Sequence, residues 1–255
     1  MTLLSLPAYH NPPETSLNLT VLKKHIPNAI TCCNLMSGCV ATIMAVYGFY
    51  QSALLFIVVG AVFDFFDGFA ARLLHVSSPI GKELDSLADV VTFGVAPTVM
   101  LCMWVSNSVP NDISLLGLLP LLMAAFSALR LAKFNLDERQ AMGFIGLPTP
   151  ANALFWGALI AGWGEQMAAI TWSAPVLLVL MLLSCYLLVS EIPMFALKFK
   201  TWGWQANKVR YLFLLISVIL LVAGPLTGLM TCIQAVPVII AWYLLLSVVT
   251  CKRRS

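Results

Sequence analysis

Long apolar runs, each of about twenty residues, alternate with short polar stretches along most of the chain. An α-helix of about twenty apolar residues is long enough to cross the hydrocarbon core of a bilayer. The pattern therefore predicts eight membrane-spanning helices, at about residues 28–49, 52–75, 83–106, 113–134, 148–164, 170–190, 208–224 and 229–249. The stretch before them is polar and has three prolines in its first thirteen residues, and we expect a short interfacial helix over residues 17–25.

The composition also favours an all-α polytopic membrane protein. Of the 255 residues, 60% are hydrophobic and only 10% are charged, which is too apolar for a soluble domain. The net charge of +3 is too small to indicate nucleic acid binding, so we expect membrane lipids and no nucleic acid as partners. The seven cysteines are scattered, mostly within apolar segments, and we interpret them as packing residues.

All fourteen lysine and arginine residues fall on one side of the predicted bundle. They precede the first span, flank the loops that follow spans 2, 4 and 6, and end the chain, whereas the loops on the other side have none. Because cytoplasmic loops of membrane proteins are enriched in these residues, this side is predicted to be cytoplasmic. With eight spans, both termini lie on it as well.

Four aspartates interrupt the otherwise apolar sequence between spans 2 and 3. Asp64 and Asp67 are three residues apart, and Asp85 and Asp89 are four apart, so each pair shares a helix face. Carboxylate oxygens that converge are the ligands that hard divalent cations prefer, and charge at membrane depth usually marks function. The alternative is that the acids form salt bridges with Arg72 and Lys82 and only join helices.

The same stretch resembles the signature of the CDP-alcohol phosphotransferase family. The pattern D-x2-D-G-x2-A-R-x8-G-x3-D-x3-D is matched at every specified position, which are Asp64, Asp67, Gly68, Ala71, Arg72, Gly81, Asp85 and Asp89. The resemblance implies a two-metal site for Mg2+ or Mn2+ held by the four aspartates, with Asp89 also acting as the general base. It further implies a homodimer.

The resemblance also implies an organisation for the chain. Residues 1–25 would be a cytoplasmic N-terminal segment, and residues 26–200 a six-helix catalytic transmembrane core. Residues 201–255 would add a transmembrane hairpin and a basic cytoplasmic tail.

A nucleotide-binding mouth is expected where the acidic motif opens between spans 2 and 3. By the resemblance, Gly68, Arg72 and Ser78 contact the CDP moiety; Asn28, Thr31 and Asn34 repeat at three-residue steps and give span 1 a polar face toward it. The residues expected to bind CDP-diacylglycerol are Asn28, Thr31, Asn34, Gly68, Ala71, Arg72, Ser78 and Gly81. Two alternatives stay open: the face of span 1 forms interhelical hydrogen bonds, and Ser78 only caps a helix.

Three further stretches resemble the phosphatidylserine synthase branch of the family. They are I-P-N-A-I-T-C-C-N-L from residue 26, D-S-L-A-D-V-V-T-F-G-V-A-P from residue 85, and R-L-A-K-F-N from residue 130 with G-L-P-T-P from residue 146. Pro97 in the second is expected to kink span 3. Arg130 and Lys133 are the candidate acceptor-binding residues, although that branch often has arginine where this chain has Lys133. Both residues also fit a role as flanking charges that contact lipid headgroups.

The expected activity is transfer of a phosphatidyl group from CDP-diacylglycerol to L-serine, giving phosphatidylserine and CMP. The same chemistry with glycerol 3-phosphate or an inositol phosphate is the first alternative, because the charges of Arg130 and Lys133 suit those acceptors almost as well. A divalent-cation transporter is the alternative from another class. Transporters usually place ionisable groups on both halves of the pathway, but the opposite half here has only the loop residues Asp112 and Glu165.

Overall fold

The structure is a computed structural model, and it describes residues 14–76, 78–109, 111–137, 144–194 and 203–251. Nine α-helices occur in these ranges: α1 (Glu14–Val46), α2 (Tyr50–Leu73), α3 (Pro79–Asp89), α4 (Ala96–Ser108), α5 (Leu121–Leu136), α6 (Thr149–Ala168), α7 (Ser173–Val189), α8 (Trp204–Leu226) and α9 (Cys232–Cys251). A π-helical segment (Val90–Val95) joins α3 to α4, and a 3-10 helix (Asn111–Leu118) precedes α5. Two short strands, β1 (Phe144–Ile145) and β2 (Pro193–Met194), pair antiparallel.

The predicted all-α polytopic membrane fold is confirmed. Within the described ranges, six helical segments are long and apolar enough to cross a membrane: His25–Val46, Tyr50–Leu73, Pro79–Ser108, Leu115–Leu136, Asn207–Leu226 and Cys232–Thr250. The third of them combines α3, the π-helical segment and α4. The fifth and sixth predicted spans correspond to α6 and to the shorter apolar helix α7.

The prediction of a separate interfacial helix over residues 17–25 is wrong. One continuous helix, α1, runs from Glu14 to Val46 with Pro27 inside it. A proline removes only one backbone hydrogen bond, and the helical bonds on both sides of Pro27 keep the helix continuous. The expected boundary between residues 25 and 26 therefore falls within a helix. Residues 1–13 lie outside the described part of the chain.

The interruption expected at Pro97 is present as a change of helix type. The π-helical segment Val90–Val95 follows Asp89 directly, and Pro97 lies in the first turn of α4, where a missing backbone N–H costs little. A wider π-helical turn of this kind is frequent at functional sites. Its Thr92 hydroxyl donates a hydrogen bond to the carbonyl of Asn34 at 3.0 Å. This bond fixes α1 against span 3 one turn beyond the acidic motif.

Two glycines let α1, α2 and the π-helical segment approach closely. A Cβ at Gly38 would lie 2.4 Å from the Thr92 hydroxyl oxygen, and one at Gly60 would lie 2.5 Å from the Thr92 methyl carbon. Distances below 3 Å require the neighbouring atoms to move. The packing around the buried Thr92 therefore depends on small residues in both neighbouring helices.

The remaining helices complete a bundle around α6. Its Trp156 is fully buried and donates to the Ser184 hydroxyl of α7 at 3.1 Å. On another side α9 packs against α6, where the Gln234 amide donates to the Gly162 carbonyl at 2.8 Å. The helix α8 packs against α9, with the Phe213 and Tyr243 rings 5.9 Å apart. The C-terminal hairpin is thus attached to the core through α9.

Candidate active site

The four aspartates of the motif meet between α2 and α3, which both pack against α1. Carboxylate oxygens of Asp64, Asp67 and Asp85 all lie within 4.8 Å of one another. The carboxyl group of Asp64 is also within hydrogen-bonding reach of both Asp85 and Asp89. The spacing of three and four residues has therefore produced the cluster that the sequence predicts.

The chemistry of this cluster fits a divalent cation. One oxygen of Asp85 is buried and has no hydrogen-bond partner among the described residues. The two cations within the motif segment are engaged elsewhere: Arg72 Nε donates to the Gly68 carbonyl at 3.0 Å, and Lys82 Nζ donates to the Asn135 carbonyl at 3.1 Å. Within the described ranges, no ion pair joins either cation to the acids. The salt-bridge alternative is thus not supported, and three close carboxylates need a cation or protons to balance them.

Asp89 occupies a different position from the other three acids. It is only 8% exposed, it is not part of the group of three, and it accepts a hydrogen bond from the Asn34 amide at 3.1 Å. Arg130 of α5 lies close enough for its charge to interact with that of Asp89. Asp89 therefore lies between the cluster and α5, and the neutral side-chain amide of Asn34 in α1 donates a hydrogen bond to it.

The polar face of α1 contacts the acids directly. Thr31 donates from its hydroxyl to Asp67 at 2.6 Å, and Asn34 is fully buried against Asp89. For these two residues the structure shows interhelical hydrogen bonding. Asn28, one turn nearer the helix start, instead lines an open cavity. The three residues share a face, as predicted, but Thr31 and Asn34 donate hydrogen bonds to the acids whereas Asn28 faces the cavity.

A cavity of about 250 Å³ opens beside the cluster, at the junction of α1, α2 and α3. Six of the predicted CDP-diacylglycerol residues line it, together with Asp67, Asp85 and Lys82; the six are Asn28, Thr31, Gly68, Ala71, Ser78 and Gly81. Arg72 is exposed, and the described lining of this cavity does not include it. We refer to this space as the mouth cavity.

The small residues of the mouth cavity have two different roles. A Cβ on Gly68 would meet no described atom within 4 Å, so this glycine leaves open space. A Cβ on Gly81 would lie 2.9 Å from the Ser78 hydroxyl oxygen, which accepts a hydrogen bond from the Gly81 N–H at the start of α3. Ser78 therefore caps α3, as one of the two sequence-based alternatives predicts, while its side chain also faces the cavity.

The two candidate acceptor residues lie at the end of α5. Arg130 is 6% exposed, donates to the Thr149 hydroxyl at 3.1 Å, and places its guanidinium 5.6 Å from the centre of the Phe134 ring. Lys133 is exposed. Both line a second cavity of about 420 Å³, which we refer to as the α5 cavity.

A hydrogen-bonded link joins the two cavities, and it was not predicted from the sequence. Lys82 donates to the Asn135 carbonyl, and the Asn135 amide donates to the Ser86 hydroxyl at 2.8 Å. This link joins α3 to the end of α5, so both cavities lie at the same end of the bundle. The sequence signal for this link is Asn135, the polar residue that ends the R-L-A-K-F-N stretch.

Comparisons with known proteins identify the family of this chain. A sequence model described as CDP-alcohol phosphatidyltransferase matches residues 24–249. The chain is 42% identical over 127 residues to the CDP-diacylglycerol–serine O-phosphatidyltransferase of Bacillus subtilis (strain 168), covering 49% of this chain and 70% of that protein. Proteins of the same name from Mycobacterium leprae (33% identity) and Methanocaldococcus jannaschii (35% identity) match 70% and 51% of this chain.

The match covers 59% of the Mycobacterium leprae protein and 57% of the Methanocaldococcus jannaschii protein, so the chain spans little more than half of these two relatives. The family model matches a much longer part of this chain than the Bacillus subtilis and Methanocaldococcus jannaschii proteins do. The matched residues, 24–249, include the acidic cluster, both cavities and nearly all of the C-terminal hairpin. This chain belongs to the CDP-alcohol phosphatidyltransferase family.

Proposed function

We propose that the protein transfers the phosphatidyl group of CDP-diacylglycerol to L-serine, giving phosphatidylserine and CMP. The observation that most supports this is the group of three carboxylates within 4.8 Å beside an open cavity in an otherwise apolar bundle. An apolar bundle suits a lipid substrate, and converging carboxylates suit a pyrophosphate-bound metal. The names of the relatives reported above, all CDP-diacylglycerol–serine O-phosphatidyltransferases, support serine as the acceptor.

The metal-binding residues in this proposal are Asp64, Asp67, Asp85 and Asp89. They would hold Mg2+ or Mn2+ in a two-metal arrangement, and such ions supply charge stabilisation for the phosphoryl oxygens and the leaving phosphate. The partnerless oxygen of Asp85 supports this assignment. The Thr31 hydroxyl holds one oxygen of Asp67, so α1 helps to orient the ligand set.

Asp89 is the proposed general base. The hydroxyl oxygen of serine forms a bond to the lipid-side phosphorus, and the bond from that phosphorus to the CMP oxygen breaks. The hydroxyl proton passes to Asp89, and CMP leaves with the bonding electrons. The hydrogen bond from Asn34 supports this role, because it fixes one carboxylate oxygen and leaves the other for the proton.

The mouth cavity is the proposed site for the CDP moiety. Gly68 offers open space for the approach of the pyrophosphate, and Asn28 and Ser78 offer hydrogen bonds beside it. Lys82 joins the predicted set, since it also lines this cavity. Arg72 is exposed and would act at the rim, where a guanidinium can clamp a phosphate once it arrives.

The orientation, the domain boundaries and the assembly state also belong to this proposal. We place both termini and the active site on the cytoplasmic side, because all fourteen lysine and arginine residues lie on that side of the predicted spans. Residues 26–200 would form the catalytic core and residues 201–255 the added hairpin and tail. The working form would be a homodimer in the membrane.

The test is CMP release by the detergent-purified protein with CDP-diacylglycerol and Mn2+, across a panel of alcohols. The panel contains L-serine, glycerol 3-phosphate and inositol phosphate, and Asp89→Asn is assayed beside Glu165→Gln. Glu165 is an exposed acid at the far end of α6, so it controls for loss of a carboxylate. Serine alone should stimulate release, and only Asp89→Asn should abolish it.

Each other outcome rejects a defined part of the proposal. Release that depends on glycerol 3-phosphate or inositol phosphate would keep the phosphotransferase chemistry and reject serine. Activity retained by Asp89→Asn would reject the general base. If the protein binds metal but releases no CMP in the presence of any alcohol in the panel, an ion site is favoured, which is the transporter alternative.

A further inference from the structure

The α5 cavity has walls of mixed charge. The end of α5 contributes Arg130 and Lys133, residue Asp137 follows that helix, and Glu191 follows α7 on the opposite wall. The volume of about 420 Å³ lies in the range of small-molecule sites, roughly 300–1,000 Å³. The cavity therefore has room for a polar ligand between two walls.

Arg130 connects this cavity to the acidic cluster. It lines the α5 cavity, and its charge interacts with that of Asp89. Its Nε atom is buried without a hydrogen-bond partner among the described residues, although the side chain is only 6% exposed. A buried guanidinium with a donor to spare favours an anionic group beside it. Arg130 therefore belongs both to the lining of this cavity and to the electrostatic surroundings of Asp89.

Glu191 stands on a backbone segment that is fixed by hydrogen bonds. The Gly146 N–H donates to the Ile192 carbonyl at 2.9 Å, and Ile145 pairs with Pro193 in the two-stranded sheet. Gly146 has a φ of +74°, and a Cβ there would lie 2.8 Å from the Ser190 carbonyl oxygen. This close approach requires glycine and holds the segment 190–193 against β1. Glu191 is thus held at one wall by its neighbours on both sides.

The two walls together match a zwitterion better than an anion. Among the described residues that line the cavity, two side chains are basic and two are acidic. An amino acid brings one carboxylate and one ammonium, which this arrangement can pair with both signs. A sugar phosphate or glycerol phosphate brings only negative charge and would meet repulsion from Asp137 and Glu191.

We propose that the α5 cavity binds the amino-acid end of the acceptor and that Glu191 is a specificity-determining residue for its ammonium group. Arg130 and Lys133 bind the carboxylate, and Asp137 assists Glu191. This inference rests on the proposed function, and it assigns to Glu191 the choice of a zwitterionic acceptor over a phosphorylated one.

The test compares L-serine with 3-hydroxypropionate, which keeps the hydroxyl and carboxylate of serine but lacks the ammonium. The serine KM and kcat and the inhibition constant of 3-hydroxypropionate are measured for wild type, Glu191→Gln and Asp137→Asn. Glu165→Gln is the matched control, because it makes the same chemical change at the opposite end of the bundle. We expect Glu191→Gln to raise the serine KM about tenfold with little change in kcat, and to leave the 3-hydroxypropionate constant unchanged or lower.

The outcomes separate this inference from the proposed function. An equal rise of the serine KM and the 3-hydroxypropionate inhibition constant in Glu191→Gln would overturn the ammonium assignment. So would a result in which neither constant changes in Glu191→Gln and Asp137→Asn while serine remains the acceptor. If Glu191→Gln does not fold, the same comparison in Asp137→Asn decides. If wild-type protein shows no serine-dependent activity, the proposed function fails first.

Discussion

Replacing Asn34 by alanine removes the amide that holds Asp89, and we expect it to slow turnover far more than it destabilises the fold. The Asn34 amide donates to Asp89 at 3.1 Å in a fully buried position. The side-chain oxygen Oδ1 of Asn34 has no partner among the described residues, so the substitution also removes a buried unsatisfied acceptor. The two effects on stability therefore partly offset each other.

The size of the kinetic effect follows from the strength of this bond. A hydrogen bond to a charged group contributes about 1.5–3 kcal/mol. If Asn34 holds Asp89 in the position needed for proton transfer, kcat falls by about 10- to 150-fold. The KM for CDP-diacylglycerol should change little, because Asn34 does not contribute to the described lining of the mouth cavity.

The assay is CMP release in detergent, with kcat and KM determined separately and thermal unfolding followed in parallel. Ser37→Ala is the control, because Ser37 is also buried on α1 but donates within its own helix, to the Cys33 carbonyl at 2.8 Å. Mn2+ binding should persist in Asn34→Ala. A kcat equal to that of Ser37→Ala would refute the positioning role of Asn34, and so would a loss confined to KM.

Three further substitutions test separate parts of the account. Asp67→Asn should abolish Mn2+ binding, measured by calorimetry, and lower kcat by a factor of about a thousand or more, as loss of a metal ligand requires; chelation by EDTA should inactivate the wild type until Mn2+ is restored. Gly68→Ala should keep or raise the unfolding temperature, because the added methyl meets no described atom within 4 Å, yet it should raise the KM for CDP-diacylglycerol. Gly146→Ala should lower the unfolding temperature, since φ is +74° and the methyl would meet the Ser190 carbonyl, whereas Gly68→Ala, inside α2 and with no described atom within 4 Å, should not; equal melting of the two variants would contradict the strain argument.

The convergence of the acids was predictable because local spacing decided it. Pairs three and four residues apart must share a helix face. The two helices that carry these pairs both pack against α1, and this brings the pairs together. The polar face of α1 was predictable for the same reason. The division of labour on that face was not, because Asn28 lines the cavity and Asn34 is buried only through the way α1 crosses α3.

The start of α1 shows where local signals mislead. A polar stretch and a proline suggest a break near residue 26, yet the helix passes through Pro27 without ending. Arg72 is a second example. The motif predicts that this arginine contacts the CDP moiety, but it does not predict that the side chain turns back and donates to the Gly68 carbonyl. Both outcomes depend on packing around the residue, which sequence spacing does not encode.

The α5 cavity was beyond reach of sequence reasoning. Arg130 and Glu191 are separated by sixty residues, and they face one cavity only because the two short strands fold the α7 end back onto the segment before α6. No periodic pattern connects strands of two residues. Arg130 was identified as a candidate from its charge and from the stretch that resembles the phosphatidylserine synthase branch. Glu191 had no such signal, because only the folded chain brings it to the cavity that Arg130 lines.

Formation of labelled phospholipid from isotopically labelled serine is the most direct test of the central claim. The purified full chain is incubated with CDP-diacylglycerol, Mn2+ and labelled L-serine, and the lipid extract is analysed by mass spectrometry. The account predicts phosphatidylserine that contains the label, formed together with an equal amount of CMP. Absence of labelled lipid, while labelled glycerol 3-phosphate is incorporated under the same conditions, would contradict it.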